Sequence, residues 1–303
     1  MTPQAVNAVA SVDRAFLFIF GVSAAMLVLI TLATIYFVIR YSRQRHPVPA
    51  DFDHNLLAEI IWTVIPTLLV LAMFYYGWQS FSALRGMPEG AMEVKVLARQ
   101  WSWSFTYPNG RQSPELYVPV GQPVRLAITS TDVIHGFYVP AFRVKIDAVP
   151  GMTTQAWLRA DQPGDYDIYC SVYCGLEHAR MLSRVRAVSP QEFERWLVQA
   201  PDQDGEAIAR REGCLACHST DGSILVGPSF KGLFGHQTTV LDQGRPVQVM
   251  VDAEFVRQVL ADPSRRPTQG FPPVMPAYPH ITPEQTAALV EYLKALGQEE
   301  HQH

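Results

Sequence analysis

The sequence predicts a multidomain chain: a two-helix transmembrane hairpin, then an all-β sandwich, then an all-α C-terminal domain. Three observations predict it. Two long runs near the N-terminus carry no charge, short β-type runs follow Met92, and strand signals give way to helical spacing late in the chain. We divide the chain into residues 1–86, 87–198 and 199–303. The net charge of −4 over 303 residues excludes a general nucleic-acid binder.

The first apolar run, Ala15–Ile39, holds 25 residues without a charge. At ~1.5 Å per residue it reaches ~37 Å, more than the ~30 Å hydrocarbon core. The second, Ile60–Phe81, holds 22. Pro66 lies near its start, where a helix tolerates it best. A signal peptide would open on a basic region, and "MTPQAVNAVASVD" has no Lys or Arg. The connection carries Arg40, Arg43 and Arg45, and the outer flanks carry only Arg14 and Arg85. The positive-inside rule then puts the loop in the cytoplasm and everything after residue 86 outside, with membrane lipid as a partner of the hairpin.

"MEVKVLARQWSWSFTY" alternates, which places Trp101 and Trp103 on one face of a strand. "QPVRLAITS", "QAWLRA", "GDYDIYC" and "MLSRVRAV" follow, punctuated by Gly and Pro, and predict an antiparallel sandwich or barrel. "SPQEFERWLVQAPDQDGEAIARREGC" reads as helix with a polar break at Pro201–Gly205. "AEFVRQVLAD" and "TPEQTAALVEYLKAL" have helical spacing, with Thr282 and Gln285 as a capping box. "GQEEHQH" reads as a solvated tail.

The four cysteines form two close pairs. "CSVYCGLEHARM" packs Cys170, Cys174, His178 and Met181 into twelve residues. Thiolate and thioether donors favour copper, and a histidine from a neighbouring strand would complete such a site. His135, in "TDVIHGFYVPAF", is the candidate. Other readings stand beside it: a Cys170–Cys174 disulfide, which leaves His178 and Met181 unexplained; a zinc site, for which Met is a poor ligand; and Met181 as a core residue. "GCLACHSTDG" holds Cys214, Cys217 and His218 in the Cys-x-x-Cys-His pattern of covalent c-type haem attachment, with His218 as proximal ligand. A zinc or redox Cys-x-x-Cys would not need the histidine.

Two spanning helices followed by a β domain with this loop resemble cytochrome c oxidase subunit II, here with a C-terminally fused cytochrome c domain as in the subunit II/c of caa-type oxidases. The resemblance implies a cupredoxin-like middle domain holding a dinuclear copper centre, CuA. Its ligands would be His135, Cys170, Cys174, His178, Met181 and the backbone carbonyl of Val172. "EIIWTVIP" is similar to the start of the family's second helix, and implies that Glu59 admits protons to the catalytic subunit; a carboxylate favouring a helix N-terminus explains Glu59 equally. "RQWSWSFTYP" is similar to the aromatic stretch where electrons arrive, and implies Trp101 as relay. "FRVKIDAVPG" implies that Asp147 faces the catalytic subunit.

The C-terminal part resembles a class I cytochrome c, with Met275 in "GFPPVMPAYP" as sixth ligand and Pro228 buttressing His218. Met250 reads as packed in an apolar stretch, and His236 and His280 as solvated alternatives. The implied function is electron intake for a respiratory haem–copper oxidase, from haem c to CuA and on to subunit I, where oxygen reduction is coupled to proton translocation. Further membrane subunits, an external cytochrome or quinol-oxidising donor, and a bacterial inner membrane with both termini and the soluble domains on the periplasmic face go with it. Two departures stand out. Val172 replaces a glutamate that helps bind an interface magnesium, and valine cannot ligate a hard cation, so that site is expected to be absent or rebuilt. Ser102 replaces an aromatic residue. The alternatives are a CuA-containing nitric oxide reductase, and a membrane-anchored copper-delivery or sensing protein, which would not need haem c.

Overall fold

The computed structural model describes residues 8–48, 54–199 and 203–298. The break at Pro201–Gly205 falls partly outside the described residues, as do the first residues and nearly all of the tail. The chain divides into two compact units, Met1–Pro88 and Glu89–His303.

The first unit is a pair of helices, α1 (Ala8–Arg40) and α2 (Leu56–Arg85). At ~1.5 Å per residue they are ~50 and ~45 Å long, more than a bilayer core requires. Their apolar side chains point outward, with Leu27 68% and Phe74 65% exposed, so neither helix is the core of a soluble fold. The pair is pinned by Ser80 Oγ donating to the Ser11 carbonyl at 3.0 Å and by Phe18 against Tyr76 at 4.9 Å. Asn55 caps α2 by accepting from the Ala58 N–H at 3.1 Å, and Glu59 accepts the Asn55 N–H at 3.4 Å. Because this cap starts α2 at Leu56, Pro66 sits in the helix interior and not at its start. It cannot donate to the Trp62 carbonyl four residues back.

The second unit opens on a sandwich of two five-stranded sheets. One carries β3 (Gln112–Ser113), β2 (Ser102–Thr106), β1 (Met92–Arg99), β5 (Val124–Ser130) and β8 (Thr154–Leu158) in that spatial order. The other carries β4 (Leu116–Pro119), β10 (Leu182–Val188), β9 (Gly164–Cys170), β6 (His135–Val139) and β7 (Val144–Ala148). The sheets are mixed and not purely antiparallel: β1 runs parallel to β5, and β4 to β10. The chain crosses between sheets before returning beside β1 and β4, which a simple meander would not do.

Alternate residues are buried, as in β5, where Val124, Leu126, Ile128 and Ser130 point inward. Val94, Phe105, Phe137, Ile168 and Val185 complete the core, each burial of a large apolar side chain being worth ~1.5–3 kcal/mol. The alternation of "MEVKVLARQWSWSFTY" is two strands and not one. Gln100 and Trp101 form the turn between β1 and β2, so the two tryptophans do not share a strand, although both are buried. α3 (Pro190–Val198), capped by Ser189, closes one end with Phe193 and Trp196 against Tyr107.

The rest of the unit holds α4 (Gly205–Arg211), a short 3-10 turn at Cys214–Ala216, α5 (Ala253–Ala261) and α6 (Pro283–Gln298). The capping box of α6 is formed, with Thr282 N–H donating to Gln285 Oε1 at 3.0 Å and Gln285 N–H to Thr282 Oγ1 at 3.3 Å. A hairpin of β11 (Gln237–Asp242) and β12 (Arg245–Met250) adds to this helical domain. Its two-residue turn, Gln243–Gly244, has φ of 50° and 79°, the geometry of a type I′ turn. Met250 ends β12 with 49% exposure, so it does not pack in the core.

Candidate functional site

Two groups of predicted residues come together, both in the second unit. The first lies where β6 starts, β9 ends and the loop to β10 folds back. Cys170 ends β9, and its N–H donates to the Met181 carbonyl at 3.3 Å, which closes the loop on itself. A 3-10 turn at His178–Arg180 brings His178 over the cysteines.

The Cys170 and Cys174 sulfurs are 3.7 Å apart and both thiols are free. A disulfide needs ~2.0 Å. Two sulfurs on a shared metal ion, with metal–thiolate bonds of ~2.3 Å, can stand up to ~4.6 Å apart, so the pair fits a metal bridge. Each sulfur has its own pair of further donors. Cys170 Sγ lies 3.9 Å from His135 Nδ1 and 3.2 Å from the Val172 carbonyl oxygen. Cys174 Sγ lies 3.5 Å from His178 Nδ1 and 3.9 Å from Met181 Sδ. Met181 is fully buried. The donors are thiol, imidazole, thioether and carbonyl, a set that suits copper.

Electrostatics prepare the same arrangement. Burial disfavours a charged His135 and a charged Asp132, but the hydrogen bond between His135 Nε2 and Asp132 Oδ1, 2.8 Å long, outweighs it. With N–H groups of Gln100 and Val133 adding to it, the Asp132 carboxyl is held at about 2, and His135 is raised to about 9. Asp132 only accepts, so Nε2 carries the proton and Nδ1 faces the sulfurs. Burial also opposes both thiolates. At Cys170, hydrogen bonds from His135 and the Gly136 N–H outweigh it and draw the thiol down; at Cys174, burial and then the charge of Cys170 push the thiol up. The pair therefore ionises in two steps, and a bound cation would drive the second.

Asp132 and Gln100 were not among the predicted residues. Asp132 stands three residues before His135 in "TDVIH", a legible hint of an imidazole partner. Nothing in the sequence marks Gln100, whose Nε2 donates to the Cys174 carbonyl at 2.7 Å. Trp101 Nε1 donates to the same carbonyl at 3.1 Å. We expect Asp132→Ala to lower copper affinity ~10–100-fold while the fold survives, as removal of an imidazole's outer partner does; copper titration of the metal-depleted protein checks it.

The second group lines an apolar cavity whose empty space, counting its open mouth, is about 1450 Å³. Cys214, Cys217, His218 and Met275 all lie on its wall, with Phe230 and Tyr278. His218 Nδ1 is 2.7 Å from the Pro228 carbonyl, which can only accept, so Nε2 is left with its lone pair for a metal. Burial lowers the pKa of His218 and keeps the ring neutral. Phe230 stacks on the ring at 4.6 Å. Burial pushes Cys214 up to about 12 and Cys217 up to about 11. Neutral thioethers to a flat apolar group suit this apolar cavity. His280 pairs with Glu212 at 2.8 Å, and His236 is exposed in a turn. Glu59 belongs to the helical unit, and Asp147 is exposed on β7.

Comparison with known proteins places three family domains along the chain. The family description "Cytochrome C oxidase subunit II, transmembrane domain" matches residues 2–80, "Cytochrome C oxidase subunit II, periplasmic domain" matches residues 112–188, and "Cytochrome c" matches residues 203–297. A cytochrome c oxidase subunit 2 of Alkalihalophilus pseudofirmus is 31% identical over 301 residues, covering 92% of this chain and 85% of the relative. One of Cereibacter sphaeroides is 34% identical over 223 residues, covering 60% of this chain and 74% of the relative. Among solved structures, the periplasmic domain of subunit II of the Bradyrhizobium japonicum cytochrome oxidase is 35% identical, covering 37% of this chain and 94% of that one, with a TM-score of 0.36. The matched domains imply binding of copper and haem c and anchoring in a membrane. The chain belongs to the cytochrome c oxidase subunit II family, carries a cytochrome c domain at its C-terminal end, and is a subunit of a haem–copper oxidoreductase complex.

Proposed function

We propose that this subunit is a one-electron relay in which haem c, held by Cys214, Cys217, His218 and Met275, feeds a dinuclear CuA centre. His135, Cys170, Cys174, His178, Met181 and the Val172 carbonyl would hold the copper pair. The observation that carries the reading is the twofold donor arrangement. Two thiols 3.7 Å apart each have one imidazole and one weak donor of their own, which is a place for two ions and not one. When bound, the copper pair and the haem supply the redox chemistry. The residues supply the rest. Asp132 and Pro228 orient His135 and His218, and the buried walls exclude water. Trp101 donates to the Cys174 carbonyl and ties its ring to the backbone of a bridging ligand. That contact supports Trp101 as the relay.

The functional parts are then 1–86 for anchoring, 87–198 for copper and 199–303 for haem. Electrons pass onward to a haem–copper subunit I, where oxygen is reduced and protons are moved. The soluble parts and both termini stand on the periplasmic face of a bacterial inner membrane, because the basic residues lie in the connection between the helices. An external cytochrome or quinol-oxidising complex is the donor. Val172 offers no carboxylate, so an interface magnesium would need ligands from elsewhere. Glu59 closes the first turn of α2, and we assign it proton admission in addition to this cap.

Rapid mixing tests the relay. One electron delivered to haem c is expected to leave it as the copper absorbance falls, in one concerted phase. Haem that stays reduced while copper stays oxidised would contradict the reading.

A further inference from the structure

The turn between β1 and β2 touches both groups of site residues. On one side, Gln100 and Trp101 bond the Cys174 carbonyl. On the other, Arg99, Gln100 and Ser102 form part of the wall of the cavity that Cys214, Cys217 and His218 line. The Arg99 guanidinium donates to the Glu212 carbonyl, at the C-terminal end of α4, and stands 5.2 Å over the Tyr278 ring. The Tyr278 hydroxyl donates to the same carbonyl at 3.3 Å. Arg99 Nε also bonds Ser102 Oγ at 3.2 Å.

Beside this, Gly213 has a φ of 76°, and a Cβ there would meet Ser102 Oγ at 2.6 Å and Ser102 Cβ at 2.9 Å. The backbone that leads into Cys214 therefore lies flat on Ser102. Glycine is needed at 213 both for its left-handed conformation and for the close approach, and a small residue is needed at 102. Val226 enters the core of the β domain, and Ala216 and Cys217 pack against it.

We propose that Arg99, Ser102, Glu212, Gly213 and Tyr278 form a latch that seats the haem-bearing domain on the β1–β2 turn, so that the chain's own haem domain, and not a free donor protein, occupies the face over Trp101. The proposal rests on the relay reading for its purpose. It makes Arg99 a positioning residue and gives the small side chain of Ser102 a function. When bound, the haem and the copper would supply the chemistry of the step, one electron passing from the haem iron to the copper with no bond formed or broken. Trp101, between Gln100 and Ser102 in this turn, is 5% exposed, and in the latched arrangement an external donor delivers its electron to the haem domain and not to Trp101.

Hydrogen–deuterium exchange on the full-length protein tests the latch, with haem-to-copper transfer measured on the same samples. In the unmodified protein, amides 99–103 and 211–213 are expected to exchange slowly. Ser102→Trp is expected to raise exchange in both segments about tenfold or more and to slow transfer by a similar factor, with copper and covalent haem both still bound. Arg99→Ala, which adds no bulk and keeps the fold, is expected to act in the same direction less strongly. Fast exchange at both segments in the unmodified protein, or no change in either variant, would overturn the latch. Looser exchange with unchanged transfer would show that these contacts do not serve the relay and would overturn the latch; slow exchange with no haem-to-copper transfer in the unmodified protein would leave the contacts standing and sink the relay reading.

Discussion

Replacing Cys174 with serine is expected to leave haem attached and to remove the copper pair. Cys174 Sγ is the hub of the donor set, within 3.9 Å of Cys170 Sγ, His178 Nδ1 and Met181 Sδ. A serine hydroxyl stays neutral and hard, so it neither bridges two ions nor favours copper. Copper should fall from two ions per chain to one or none. Loss of an outer partner already costs ~10–100-fold in such sites, so donor-driven turnover should fall by more than ~100-fold. Cys214 and Cys217 lie in the other domain, and the haem stain on a denaturing gel should not change. The copper-to-haem ratio, measured beside turnover, checks both halves.

Gly227→Ala has the second large effect. A Cβ at Gly227 would sit 2.5 Å from His218 Cε1, 2.8 Å from Nδ1 and 3.0 Å from Nε2. The imidazole would have to leave its place between this glycine and Phe230 and give up its hydrogen bond to the Pro228 carbonyl. Overpacking of this kind costs ~1–3 kcal/mol. For a domain of about this size that lowers the melting temperature by roughly 4–24 °C, and the haem absorption spectrum should change. A variant with native melting and native haem absorption would mean that His218 is not held in this way.

The parts of the site that the sequence made legible are those where chemistry is local. Cys170 to Met181 lie in one loop and Cys214 to His218 in one turn, so their spacing alone brought the donors together. Membrane helices were legible because length and absence of charge suffice. The rest depended on partners far along the chain. Arg99 and Glu212 are 113 residues apart, and Gln100 and Cys174 are 74 apart, with no periodicity to link them. The β1–β2 turn hid inside "ARQWSWSF" because it contains no Gly, Pro, Asn or Asp and the alternation runs through it. The β11–β12 hairpin hid because Gln243 takes the left-handed position where Asn or Asp is the usual signal, and Pro246 sits in the returning strand.

Electron paramagnetic resonance of the oxidised protein tests the central claim most directly. Each copper nucleus has spin 3/2, so one unpaired electron shared equally by two ions gives a seven-line hyperfine pattern, and an electron on one ion gives four. The account predicts seven lines, lost in Cys174→Ser and kept in Gly227→Ala. A four-line spectrum, or no copper signal in protein that carries covalent haem, would contradict it.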